Sequence, residues 1–160
     1  MTAEFINSTG YFLCPTGNFT PGMGYFFGLG ALVGWRRRRR EYEFLLHDSK
    51  PLTILINGVI YAQPDRHGFT DLGTIPEIFE PWLPRNEFEP SFIIHDSTCR
   101  HHGLYFSREV DGLYTFTEVS SVWAHDLLGA CVLNEGAGKY KSKLVSWAVH
   151  FGGPHWEVKV

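Results

Sequence analysis

The sequence predicts an α+β domain: a small N-terminal antiparallel sheet built on a β-hairpin, then a bundle of about three helices, with an extended apolar arm in front. Three observations predict it. Asn57-Gly58 is flanked by β-branched runs, the pattern of a hairpin closed by a type I′ turn. From Pro90 onward, apolar residues recur at helical spacing in three segments, each followed by a glycine. The first 35 residues differ from the rest, being poor in charge and rich in Gly, Phe and Tyr.

Within that first stretch, Gly24 to Trp35 is nearly continuous apolar sequence. It is shorter than the roughly 20 residues that a membrane span takes, and four glycines make it a poor isolated helix. It reads as an extended or irregular arm that packs on an apolar surface through Tyr25, Phe26, Phe27 and Trp35. A membrane-active segment is the alternative. Arg36, Arg37, Arg38, Arg39 and Arg40 follow at once. They are five of the 14 basic residues in a chain of net charge −3. A solvated charge run is one reading. Contact with nucleic acid, with an acidic protein surface or with lipid headgroups are the others. The expected division is an arm over 1–40 and a single globular domain over 41–160.

From residue 41 the signals become regular. Glu41 to Phe44 alternates polar with apolar, as a half-buried strand does. Leu52–Ile56 and Val59–Tyr61 flank the Asn-Gly turn. Gln63 to Pro76 reads as a loop, and Pro81, Pro84 and Pro90 break the stretch that follows. The first helix is expected from Pro90 to His102, with proline tolerated in its first turn and Gly103 as terminator. The second is expected to start at the capping-box pattern Thr115-x-x-Glu118 and to run to about Asn134. The third spans about Lys139 to His150, with Gly152 and Pro154 as stop signals.

Composition adds two bounds. Thirteen Phe, seven Tyr and five Trp supply much burial per residue and hint at partner surfaces. Cys14, Cys99 and Cys131 are odd in number and match no zinc or redox spacing, so reduced thiols are expected. No charged segment leads into a hydrophobic stretch at the start, so no secretory signal is expected. No phosphate-binding glycine loop or nucleophile elbow is visible.

The residues that could carry chemistry lie on the first two helices. Phe92, His95, Asp96, Cys99 and His102 share one side of the first at helical spacing. The pair His95-Asp96 directly follows Phe-Ile-Ile, which implies partial burial and a need for partners. On the second helix, Val119, Val122, Trp123, Asp126, Leu127, Ala130 and Leu133 make an apolar stripe with Asp126 inside it. A core-facing carboxylate requires a partner, and His95 is the expected one. His125 is expected to point elsewhere, toward solvent. The functional reading is a His95–Asp126 dyad, in which the carboxylate fixes the imidazole tautomer and the other ring nitrogen takes a proton. The alternative is a buried pair that only locks two helices together.

Gly68-Phe-Thr-Asp-Leu-Gly-Thr-Ile-Pro76, Phe92-Ile-Ile-His-Asp96, Ala124-His-Asp126 and Trp156 together resemble a domain family of unknown function found in phages and prophages. The likeness runs from about Glu41 to Trp156. Cys99 stands where that pattern has a tyrosine, Gly73 where it prefers alanine, and Leu128-Gly129 where it has an aromatic residue. The family pattern is itself similar to the His-Asp helix of small calcium-dependent phospholipases. That resemblance implies His95 as general base, Asp96 as ligand to calcium and Asp126 as the residue that orients His95. Asp71 is a second candidate metal ligand, with a turn-stabilising hydrogen bond as its other reading.

Two functions are therefore expected. The first is a phage virion-associated structural protein of the tail or head-tail region, present in the virion and, during assembly, in the host cytoplasm. Its arm would contact other virion subunits or copies of the same chain, and its arginines DNA or an acidic surface. The second is a small His-Asp hydrolase, calcium being the metal implied, that acts on lipid or cell-wall ester or amide bonds.

Overall fold

The computed structural model describes residues 1–20, 39–72 and 87–158. Within them lie two antiparallel sheets and three helices, the α+β class that the sequence predicts. The larger sheet has the order β1 (Ala3–Asn7), β4 (Thr53–Ile56), β5 (Ile60–Gln63), β7 (Gly103–Ser107) and β8 (Thr115–Glu118). The smaller has the order β2 (Tyr11–Thr20), β3 (Arg39–Leu46) and β6 (His67–Thr70). The helices are α1 (Glu89–His101), α2 (Ser121–Asn134) and α3 (Lys139–Gly152). None of the described helices is long and apolar enough to cross a membrane.

The hairpin forms where its sequence places it. Asn57 and Gly58 both take positive φ, at 52° and 68°, as a type I′ turn requires. β4 and β5 pair across it, with Ile56 opposite Ile60. Residues 3–20, expected as an extended arm, are extended, and they pair with the chain's own strands. β1 runs antiparallel to β4 and β2 to β3. Gly10, between β1 and β2, is buried against the link that enters β4. Its carbonyl accepts from His47 N at 2.9 Å and Leu52 N at 3.0 Å. A Cβ there would lie 2.3 Å from Leu52 N, so only glycine fits. The expected contact residues Tyr25, Phe26, Phe27, Trp35, Arg36, Arg37 and Arg38 lie outside the described residues, while Arg39 and Arg40 open β3.

Three local expectations are corrected. His67–Thr70, read as loop, is β6, bonded to β3 with Gly68 opposite Phe44. Gly103–Ser107, with no strand expected there, is β7. Thr115–Glu118 is a strand of the larger sheet rather than the cap of the second helix. Its β-branched and aromatic residues suit strand pairing, and Ser120 caps α2 instead, accepting from Trp123 N at 3.3 Å.

Two cores hold the layers together. Phe44, Leu52, Ile54, Leu104, Ile93, Ile94 and Leu127 bind the sheets to α1 and α2. Phe88, Phe92, Leu128, Val132, Val145 and Val149 join the three helices. The N-cap position of α1, Phe88, offers no capping side chain. Glu135, just beyond α2, takes up that end by accepting a hydrogen bond from the Ser91 hydroxyl. Burial pushes the Glu135 carboxyl up to about 7.

Candidate functional site

α1 carries His95 and Cys99 one turn apart, so both project from the same side of the helix. α2 brings His125 to meet them. His95 Nε2 lies 3.1 Å from His125 Nδ1, and Cys99 Sγ lies 3.4 Å from His95 Nε2. Both rings are buried, His95 at 2% and His125 at 0% exposure. The expected partnership of His95 with Asp126 is not made. Asp126 faces outward from α2 and pairs with His150, Nε2 to Oδ1 at 3.0 Å.

The cause is the face that α2 buries. Ser121, Ala124, His125, Leu128, Gly129 and Val132 point inward together with Leu127 of the expected stripe, and Trp123 and Ala130 pack partly on the core, whereas Val122 and Leu133 are 56% and 44% exposed. Small residues decide the choice, because they let the helices approach closely. Ser142 Oγ of α3 donates to the Gly129 carbonyl at 2.7 Å, and a Cβ on Gly129 would lie 2.9 Å from Ser146 Cβ. The helix is apolar around most of its circumference, so hydrophobicity alone does not choose between the two faces.

Outer partners fix each ring. His95 Nδ1 faces Asp96 Oδ1 at 3.5 Å. The other oxygen of Asp96 accepts from Thr70 Oγ1 at 2.6 Å and from Asp71 N at 3.3 Å, so the end of β6 wraps its carboxylate. His125 Nε2 points at the Pro154 carbonyl at 3.2 Å, which requires that nitrogen to carry the proton. The edges of the His150 and Trp156 rings enclose His125 further. Burial, and then the neighbouring His95 and His150, lower the His125 pKa to about 4, so the ring is neutral near pH 7. Burial, reinforced by the Asp96 carboxylate, pushes the Cys99 thiol up, so without help the thiol keeps its proton.

A cleft of about 340 Å³ opens beside this cluster, between the smaller sheet and α1. Glu41, Thr70, Asp71, Asp96, Cys99 and Arg100 line it. The Arg100 guanidinium sits 5.2 Å above the Phe69 ring. The structure thus brings His95, Asp96 and Asp71 to one place, as the sequence suggests, and puts His125 where Asp126 was expected. Two signals for this arrangement were present in the sequence. His95 and Cys99 stand four apart on one face, and His125 follows Ala124, a small residue on the side that packs closest.

Among the described residues, the cluster of three side chains whose ligand atoms all lie within 4.8 Å of one another is His95, Cys99 and His125. All three cysteines are free thiols. Comparison with protein-family models, with curated proteins and with solved structures finds no match.

Proposed function

We propose that the chain is a small hydrolase that cleaves an ester or amide bond in the cleft between the smaller sheet and α1. One observation carries the reading: a buried histidine pair and a cysteine converge on one point directly behind an open cleft. Water from the cleft is the nucleophile. It is activated where His95 Nε2, His125 Nδ1 and Cys99 Sγ meet, and its proton ends on the leaving group. Burial and the Asp96 carboxylate push the Cys99 thiol up, so in this reading the nucleophile is water and not Cys99. Arg100 supplies the one cationic group among the described lining residues and suits an anionic substrate group or a developing oxyanion. The test is turnover of a panel of lipid, simple ester and cell-wall substrates, with and without added divalent metal. His95→Gln, with unchanged circular dichroism, is expected to lower kcat by at least about 100-fold. Absence of wild-type turnover on the whole panel would sink the reading.

A second reading, a phage virion-associated protein, draws support from the resemblance described above and from one surface feature. Phe12 and Leu45 are cross-strand neighbours on the outer face of the smaller sheet, 60% and 50% exposed. Such an apolar pair, on the sheet that Arg39 and Arg40 enter, suits a contact with a neighbouring subunit. Phe12→Ser with Leu45→Ser is expected to cut incorporation into particles by at least about ten-fold, with the melting temperature unchanged. Normal incorporation of that double variant removes the reading.

A further inference from the structure

The geometry points to a zinc-class metal centre at His95, Cys99 and His125, with its fourth position left for water. The inference deepens the hydrolase reading and rests on the same three side chains, yet its support is geometric. Tetrahedral zinc, with Zn–N about 2.0–2.1 Å and Zn–S about 2.3 Å, has N···N edges of about 3.3 Å and N···S edges of about 3.6 Å. The observed separations are 3.1 Å between His95 Nε2 and His125 Nδ1, and 3.4 Å between His95 Nε2 and Cys99 Sγ. One imidazole and one thiol from a single helix turn, with a second imidazole from the facing helix, make the edges of such a polyhedron.

The outer partners make the same case independently. The Pro154 carbonyl places the His125 proton on Nε2, which leaves the Nδ1 lone pair pointing inward. The Asp96 carboxylate lies 3.5 Å from His95 Nδ1, so a proton held on that nitrogen would leave the Nε2 lone pair pointing inward as well. A cation bound between the two nitrogens would take the place of the hydrogen bond that they can otherwise share at 3.1 Å. A carbonyl behind one ligating histidine and a carboxylate behind the other is the outer arrangement that metal-binding histidines use. Cys99 completes the set. Coordination would take its thiol to the thiolate. Nitrogen and sulfur donors favour zinc over calcium or magnesium, which take oxygen. This differs from the calcium site implied by resemblance, since Asp96 acts through His95 and lies outside the three-ligand set.

Metal content and cobalt spectroscopy of the full chain test it, with no reliance on activity. The wild type is expected to bind one equivalent of Zn²⁺. With Co²⁺ it is expected to show the visible bands of a tetrahedral ion and a near-ultraviolet thiolate-to-metal band. Cys99→Ser is expected to lose the thiolate band. Asp96→Asn keeps both spectral features and binds about 10–100-fold more weakly, as an outer partner does. Wild-type protein that takes up no zinc and gives no cobalt spectrum overturns the proposal. So does a thiolate band that survives in Cys99→Ser. Metal binding without turnover on any substrate leaves the centre standing and removes the hydrolase reading. Turnover with no bound metal does the reverse.

Discussion

His125→Ala is expected to lower hydrolysis by at least about 100-fold, whereas Asp126→Asn stays within about two-fold of wild type. Adjacent positions in the chain thus carry very different weight. The His125 ring is fully buried and places Nδ1 3.1 Å from His95 Nε2, and no other described side chain supplies that atom. Alanine would remove one of three converging groups and leave His95 with an unmet nitrogen in the interior. Asp126 lies on the outward side of α2, with a side chain 54% exposed, and its bond to His150 is of the kind that solvent weakens. Steady-state kinetics on the two purified variants, with circular dichroism to verify the fold, decide between them. Equal losses in both would mean that Asp126 orients the site after all.

Phe44→Ala is expected to destabilise the protein by about 4 kcal/mol. At this chain length that corresponds to a fall of roughly 12 °C in melting temperature. The ring is 0% exposed and belongs to the core that ties both sheets to α1. It lies over Gly68, its cross-strand partner, so closely that a Cβ on Gly68 would sit 2.7 Å from Phe44 Cζ. Gly68 has no side chain to lean into the vacated space, so collapse is restricted and a void remains. Ile93 and Ile94, in the same core, immediately precede His95. Loosening them shifts the histidine as well as the sheet. Scanning calorimetry reads the effect, and a loss below about 1 kcal/mol would show that the site repacks freely.

Much of this fold is legible in the sequence, and the reasons for the remainder are local. Asn57-Gly58 specifies its turn because few other dipeptides accept positive φ twice. α1 and α3 begin and end within two residues of their sequence signals. α2 was open to misreading because Thr115-x-x-Glu118 fits a capping box while Thr115 to Thr117 also fits a strand. Pairing with β7 settles the matter, and that is a contact between distant elements. His95 and Asp96 were visible as a candidate site. His125 was hidden because the apolar stripe beside it left it to solvent on paper, whereas α2 packs closely on α3 through Gly129 and Ser146 and buries the His125 side.

One bond set out of register with the rest of the chain has a consequence in time. Phe5 N, in β1, donates to Asn134 Oδ1 at the end of α2 across 129 residues of sequence, at 2.9 Å. β1 also waits for β4 to supply its strand partner. The first of the described strands is therefore among the last to be secured. Such long closures slow folding toward the millisecond-to-second range. Until α2 emerges from the ribosome, the β1 segment has a strand edge and the apolar side chain of Phe5 exposed to whatever else is nearby.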